Sequence, residues 1–169
     1  YGENVLVDGL QEHVTKITRK NKIFLRFMAA NALSHRPPLG FFRRFVQEDD
    51  GTQSEGLNLK HRGIVPIIDL VRIRALEAGI REANTFERIG QAMAAGVMNR
   101  KDASSLRDAL ILINRIRIAH QSAQMTAGEK PTNFVPPEEL SPLMRRNLKA
   151  AFMLVQEAQN ALELRYQVH

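Results

Sequence analysis

Cysteine and tryptophan are both absent from this 169-residue chain. Without cysteine there is no disulfide, no thiolate metal site and no cysteine nucleophile. That composition suits a reducing compartment, so a cytoplasmic location is the expectation. Aromatic residues are scarce, at 6% of the chain, and offer few stacking platforms for nucleic-acid bases. Long hydrophobic runs are lacking too. The longest, Ile64–Val71, is broken by Pro66 and Asp69 and is far too short to cross a bilayer. No signal peptide is visible, and neither a membrane nor a nucleic acid is an expected partner. There is no Ser-His-Asp signature, no P-loop and no glycine-rich dinucleotide loop. The five histidines, His13, His35, His61, His120 and His169, show no metal-ligand spacing. Asp49 and Asp50 are adjacent acids in an expected surface loop.

What is present describes one ordinary globular unit. Hydrophobic residues make up 44% and charged residues 25%, enough for one domain over 1–169 with a real core. The chain begins with Tyr1 rather than Met, so a fragment of a longer protein is expected. The net charge is +6 and the pI about 10.1, with arginine the main basic residue. Arginine matches phosphates and carboxylates bidentately. An anionic partner and a plain solvated basic surface fit this balance equally well.

Periodicity and punctuation predict a mainly α fold, an antiparallel helical bundle with a small β-hairpin near 41–59. A first helix over 3–20 carries Leu6, Leu10, Val14 and Ile17 on one stripe. A second over 22–35 shows Phe24, Phe27, Met28 and Asn31 on one face and ends at Arg36-Pro37-Pro38, since the residue before proline leaves helical geometry. Gly40–Val46, with Phe41, Phe42 and Phe45, is β-prone and is expected to pair with Leu57–Leu59. A third helix runs from about Val65 to Ala78, with Pro66 in its first turn and Gly79 as its stop. Asn84-Thr85-Phe86-Glu87 reads as a capping box opening a helix to about Ala95. The longest helix covers 101–127, a proline-bearing loop covers 129–139, and Ser141-Pro142 opens a last helix to about Tyr166.

Gly56–Gly79 holds the main chemistry. It begins like a strand, is expected to turn at Gly63, and continues as an apolar helix. Lys60, His61 and Arg62 sit at the turn, and Asp69 stands inside the apolar run. A buried carboxylate must be paired or hydrogen-bonded. Asp69 can pair with Arg72 three residues on, or it can orient Lys60, Arg62 or a ligand. A helix start beside lysine and arginine is a natural phosphate site. On the long helix, Asn114, Arg117, Gln121 and Gln124 form one polar stripe with His120 beside it. That stripe faces a groove or partner, or else closes an internal network of salt bridges and hydrogen bonds. Asn31 and His35, one helical turn apart, could line a pocket or cap the helix end.

Several segments carry a family resemblance. They are Asn31-Ala-Leu33 with Arg36-Pro-Pro-Leu-Gly-Phe-Phe42, Leu57-Asn-Leu-Lys60 through Gly63 to Asp69-Leu70, Arg117-Ile-Ala-His120-Gln121, and Leu140-Ser-Pro-Leu143. With these the chain resembles the substrate-binding domain that follows a nucleotidyltransferase domain in bacterial signalling proteins, many of which carry cyclic-nucleotide-binding and CBS modules upstream. The Lys60–Asp69 pattern is also similar to the lysine-containing, glycine-rich segment of PII uridylyltransferases and glutamine-synthetase adenylyltransferases. Those have two adjacent glycines where this chain has Gly63-Ile-Val-Pro-Ile-Ile-Asp69.

The resemblance implies a domain that completes the nucleotide and acceptor cleft of an upstream catalytic domain in cis. It implies no catalytic residue and no cofactor in this chain, with Mg and a nucleoside triphosphate held in the longer protein and a nucleotide or protein as acceptor. On that implication Lys60 and Arg62 contact the triphosphate or acceptor, Asp69 orients a cation, and Arg117, His120 and Gln121 line the same cleft, with Arg72 also in the substrate-binding set. Asn31 belongs to the same candidate set. The alternative is a helical interaction or dimerisation module with no ligand of its own, and a homodimer is compatible with either reading.

Overall fold

The computed structural model describes residues 4–40, 44–49 and 55–168. Among them the helices are α1 (Asn4–Lys20), α2 (Lys22–Leu33), α3 (Val65–Ala78), α4 (Thr85–Ala94), α5 (Arg100–Thr126) and α6 (Pro142–Tyr166). Three short strands, β1 (Glu48–Asp49), β2 (Glu55–Asn58) and β3 (Phe134–Val135), accompany them. The fold is mainly α. No helix among the described residues is long and apolar enough to cross a membrane.

Helix starts follow local chemistry. The side chains of Asn21, Asn84, Asn99 and Ser141 each accept a hydrogen bond from a first-turn backbone N–H, which satisfies donors that the helix itself cannot. Gly79 closes α3 in the left-handed conformation, at φ 79°.

The core forms where α3, α5 and α6 meet the inner face of β2. Leu57, Leu59, Ile67, Val71, Ile113, Leu148, Phe152 and Val155 are fully buried there. A smaller cluster of Leu25, Ala29, Ala32, Ile73 and Leu162 seats α2 on α3 and α6.

Several expectations change at this level. The hairpin exists, but its first strand is Glu48–Asp49, with Glu48 opposite Gly56 and Asp49 opposite Glu55. The 40–46 segment contributes a single bridge, Leu39 to Phe45; Phe41 and Phe42 lie outside the described residues. A third strand comes from the proline-bearing loop, with Leu57 opposite Val135 and Asn58 opposite Phe134. Two residues between Pro131 and Pro136 are too few to show alternation, so periodicity could not find them.

Gly63 is not a turn. The chain is already helical before it, in a π-helical turn over Lys60–Ile64, and Gly63 is buried against α5 and α6. A Cβ at Gly63 would stand 2.9 Å from Ile113 Cγ2 and 3.4 Å from Phe152 Cε1. The glycine is there for close packing.

The two N-terminal stripes also reverse. Leu6, Leu10, Val14 and Ile17 face solvent, and α1 instead buries Thr15 and Thr18. That is tolerable because each hydroxyl donates to a carbonyl one turn back, Gln11 and Val14, at 2.7 Å. On α2, Phe24 and Phe27 are exposed while Leu25, Ala29, Ala32 and Leu33 face inward. Small residues allow the close approach of α2 to α3, and size won over hydrophobicity in choosing the face.

An ion pair fastens the end of α6. Arg165 Nη2 donates to Glu77 Oε1 at 2.6 Å, and Arg74 reaches the same carboxylate at 3.0 Å. Burial pushes the Glu77 carboxyl up, but the hydrogen bonds from Arg165 and the charges of Arg165 and Arg74 outweigh it, leaving it below the ordinary value. Burial and the neighbouring Glu77 charge push the Tyr166 hydroxyl up to about 12. The folded chain therefore keeps that proton where the unfolded chain, titrating near 10, has lost it. The stability this provides is fully present below pH 10 and is lost as pH rises to about 12. Tyr166→Phe is expected to flatten this decline, read from urea midpoints measured across the same window.

Candidate functional site

The site is built where a strand becomes a helix. Leu57 and Leu59 point into the core with no exposed surface, which turns the intervening Asn58 and the following Lys60 outward. The Asn58 side chain accepts the backbone N–H of His61 at 3.1 Å. The wide turn that follows closes with Val65 N–H donating to Lys60 O. Single π-turns of this kind occur often at functional sites.

Five basic residues gather where this turn meets the end of α2. The rings of His35 and His61 stack with centroids 6.2 Å apart and planes at 28°. Arg62 Nε donates to Glu48 Oε1 at 2.6 Å, and its Nη1 donates to the carbonyl of Arg36 at 3.3 Å. Arg36 in turn holds Glu163 at 2.7 Å and Asn160 at 3.0 Å. Gln159, fully buried, fixes the end of α2 by donating to the carbonyls of Ala32 and His35 at 3.1 and 2.9 Å. Both arginines are thus matched by acids. Lys60 is exposed and has no carboxylate partner among the described residues.

The polar stripe of α5 approaches the same turn from the other side. Arg117 Nη1 and Gln121 Nε2 both donate to Asn133 Oδ1, at 3.3 and 3.4 Å. The Asn133 backbone carbonyl accepts Leu59 N–H at 3.0 Å. Asn133 therefore couples Arg117 and Gln121 to the residue just before Lys60. Gln124 Oε1 accepts the N–H of Thr132 at 2.8 Å, which pins the same segment one residue earlier. Arg117 is half-buried and, like Lys60, has no carboxylate partner among the described residues.

The remaining candidates stand apart. Asp69 pairs with Arg72 at 2.7 Å. At 1.5 Å of rise per residue, the nine residues from Lys60 put Asp69 about 13 Å along the helix, and its ion pair is internal to α3. His120 has Nδ1 3.1 Å from Glu139 Oε2 and shares a polar pocket with Gln124 and Thr132. It lines a separate, largely apolar groove of roughly 670 Å³ with Ile111, Ile116, Leu140 and Met144. Asn31 is exposed on α2, and its backbone carbonyl accepts the N–H of Ser34. Among the described residues, no cluster of three or more His, Asp or Glu could hold a metal ion.

Sequence reasoning missed Asn133, Gln159, Arg36 and Glu48. Only Gln159 left a signal: it interrupts the stripe of Leu148, Phe152, Val155 and Leu162 at a core position, where a polar residue needs partners. Asn133 lies in a short loop segment whose contacts are set by the fold.

A family model described as "Putative nucleotidyltransferase substrate binding domain" matches residues 22–166. No curated protein and no solved structure matches the chain.

Proposed function

The chain belongs to this family of nucleotidyltransferase substrate-binding domains, and we propose that it completes the nucleotide and acceptor cleft of a catalytic domain in the same polypeptide. The observation that carries this reading is the pair Lys60 and Arg117. Both are cations without a carboxylate partner among the described residues, and Asn133 bonds both the Arg117 side chain and the backbone of Leu59, the residue before Lys60, while the adjoining Arg36 and Arg62 are neutralised by Glu163 and Glu48. Cations held next to a structured turn and left without an acid suit a phosphate-bearing ligand.

On this reading the chain performs no bond chemistry of its own. Lys60 takes phosphate charge, and Arg117 adds positive potential from the α5 side. Mg and the nucleoside triphosphate are held mainly by the catalytic domain. This domain contributes positioning and charge neutralisation, which are worth most where water is excluded. The parent is of the uridylyltransferase-like kind and acts in bacterial signal transduction.

Calorimetric titration of ATP and UTP into the polypeptide that includes the catalytic domain, and into this chain alone, tests the reading. Tight binding is expected only when both domains are present, and Lys60→Ala should weaken it. Equal affinity before and after Lys60→Ala and Arg117→Ala would remove the assignment.

A further inference from the structure

Building on the nucleotide-binding reading, we propose that Glu48 is an internal competitor for phosphate: its carboxylate occupies the Arg62 fork, and a ligand phosphate takes that place on binding. Arg62 is then a second phosphate contact of the site, covered in the free chain.

The way Arg62 is held prepares it for this exchange. A guanidinium carries its N–H donors in one rigid plane. Nη1 donates to the carbonyl of Arg36 at 3.3 Å, at the end of α2. That end is itself fixed: Gln159 donates to the carbonyl of His35 at 2.9 Å, and the Arg36 side chain is tied to Asn160 and Glu163. The side-on edge of the fork, Nε and Nη2, turns to one oxygen, Glu48 Oε1, with Nε at 2.6 Å. This edge can bind two oxygens of a carboxylate or a phosphate. With Glu48 displaced, the Arg36 carbonyl still holds the plane of the fork, and the edge meets a ligand already oriented.

The competitor is lightly attached. Glu48 stands on β1, a two-residue strand at the edge of the sheet, joined to β2 by the pairs Glu48–Gly56 and Asp49–Glu55. The Arg62 and Glu48 side chains are 35 and 27% exposed, and an ion pair open to water contributes little. Other acids are bound differently. Glu77 holds both Arg74 and Arg165, and Asp69 meets Arg72 within one helix.

Charge decides the exchange. A phosphate group brings more negative charge than a carboxylate and three strong acceptor oxygens. It arrives beside Lys60, two residues earlier in the same turn and without a carboxylate partner among the described residues. A ligand carboxylate exchanges only like for like, and an uncharged ligand gains nothing by displacing Glu48. The contact therefore makes the site discriminate in favour of phosphate.

Titration calorimetry of ATP into the polypeptide that includes the catalytic domain tests the exchange, with Glu48→Gln, Arg62→Ala and the double variant set beside the unaltered protein. Glu48→Gln keeps the shape of the side chain and removes its charge, and it is expected to tighten binding by roughly threefold to tenfold. Arg62→Ala should weaken binding, and adding Glu48→Gln to it should bring no gain. A gain that persists without Arg62 would be a through-space effect of the lost charge and would overturn the exchange. So would a Glu48→Gln protein that binds ATP no better than the unaltered one, with or without a lowered urea midpoint. Lys60→Ala in the same series separates the two levels. If it weakens ATP binding while Glu48→Gln fails to tighten it, the exchange falls and the nucleotide reading stands. If neither Lys60→Ala nor Arg62→Ala changes the affinity, both fall.

Discussion

Alanine at Gly56 is expected to lower stability by about 3 kcal/mol, more than at any other described glycine. Gly56 sits in β2 at φ +150°, a backbone conformation that residues with a Cβ rarely adopt. The surroundings make it worse. An added Cβ would lie 2.8 Å from the carbonyl carbon of Val135 and 2.9 Å from both Val135 O and Pro136 N. These are backbone atoms of β3 and of the residue that follows it, which cannot rotate away as a side chain can. Relief requires β2 and β3 to separate, which would break the pairing of Leu57 with Val135 and loosen the segment that carries Asn133. Gly90→Ala is the control. It lies inside α4 with nothing within 4 Å of the added carbon, and it should raise stability by roughly 0.5–1 kcal/mol through helix propensity. Urea unfolding of the three proteins checks both signs. A Gly56→Ala midpoint equal to that of the unaltered chain would mean that the strand pair gives way without cost.

Helix boundaries were legible because their causes are local. The capping residues Asn84 and Ser141, the first-turn prolines Pro66 and Pro142, and the glycine at 79 act within four residues of where they stand. Which face a helix buries was less legible. α6 obeyed its stripe from Leu148 to Leu162, but α2 turned Leu25 and the alanines inward and left Phe27 at 72% exposure. Hydrophobicity alone ranks phenylalanine first; only the distance between neighbouring axes says that alanine fits. The candidate site divides in the same way. Lys60 and Arg62 were readable from their position at a strand-to-helix junction. That Arg62 is paired with an acid while Lys60 has none among the described residues was not, because Glu48 comes from a different strand and reaches Arg62 only through the hairpin register. The stripe on α5 was readable as polar, and its partner was hidden in Asn133, whose place depends on a two-residue strand. Asp69 shows the limit from the other side: a carboxylate in an apolar run needs a partner, and the nearest one on its own helix, Arg72, suffices.

Lys60→Ala and Arg117→Ala are expected to weaken nucleotide binding alike, by roughly tenfold to a hundredfold, as the loss of one charge-assisted phosphate contact implies, yet to differ in every other respect. Lys60 is exposed and holds nothing else among the described residues, so its removal should leave the unfolding midpoint in place. Arg117 also donates to Asn133, whose carbonyl receives Leu59 N–H. Truncating it strips one of the two side-chain donors to Asn133 Oδ1 and should cost about 1 kcal/mol of stability as well. Arg117→Lys separates the two roles: charge is kept, but the planar fork that reaches Asn133 is lost. Binding should then recover further than stability does. Raising salt should weaken binding to the unaltered protein more steeply than to Lys60→Ala, because the variant has one fewer exposed charge to screen. Titration calorimetry at two ionic strengths, set beside urea unfolding of the same proteins, measures both quantities. Loss of stability without loss of affinity in Arg117→Ala would place that residue in the scaffold, and leave the phosphate contact to Lys60 and the histidine pair beside it.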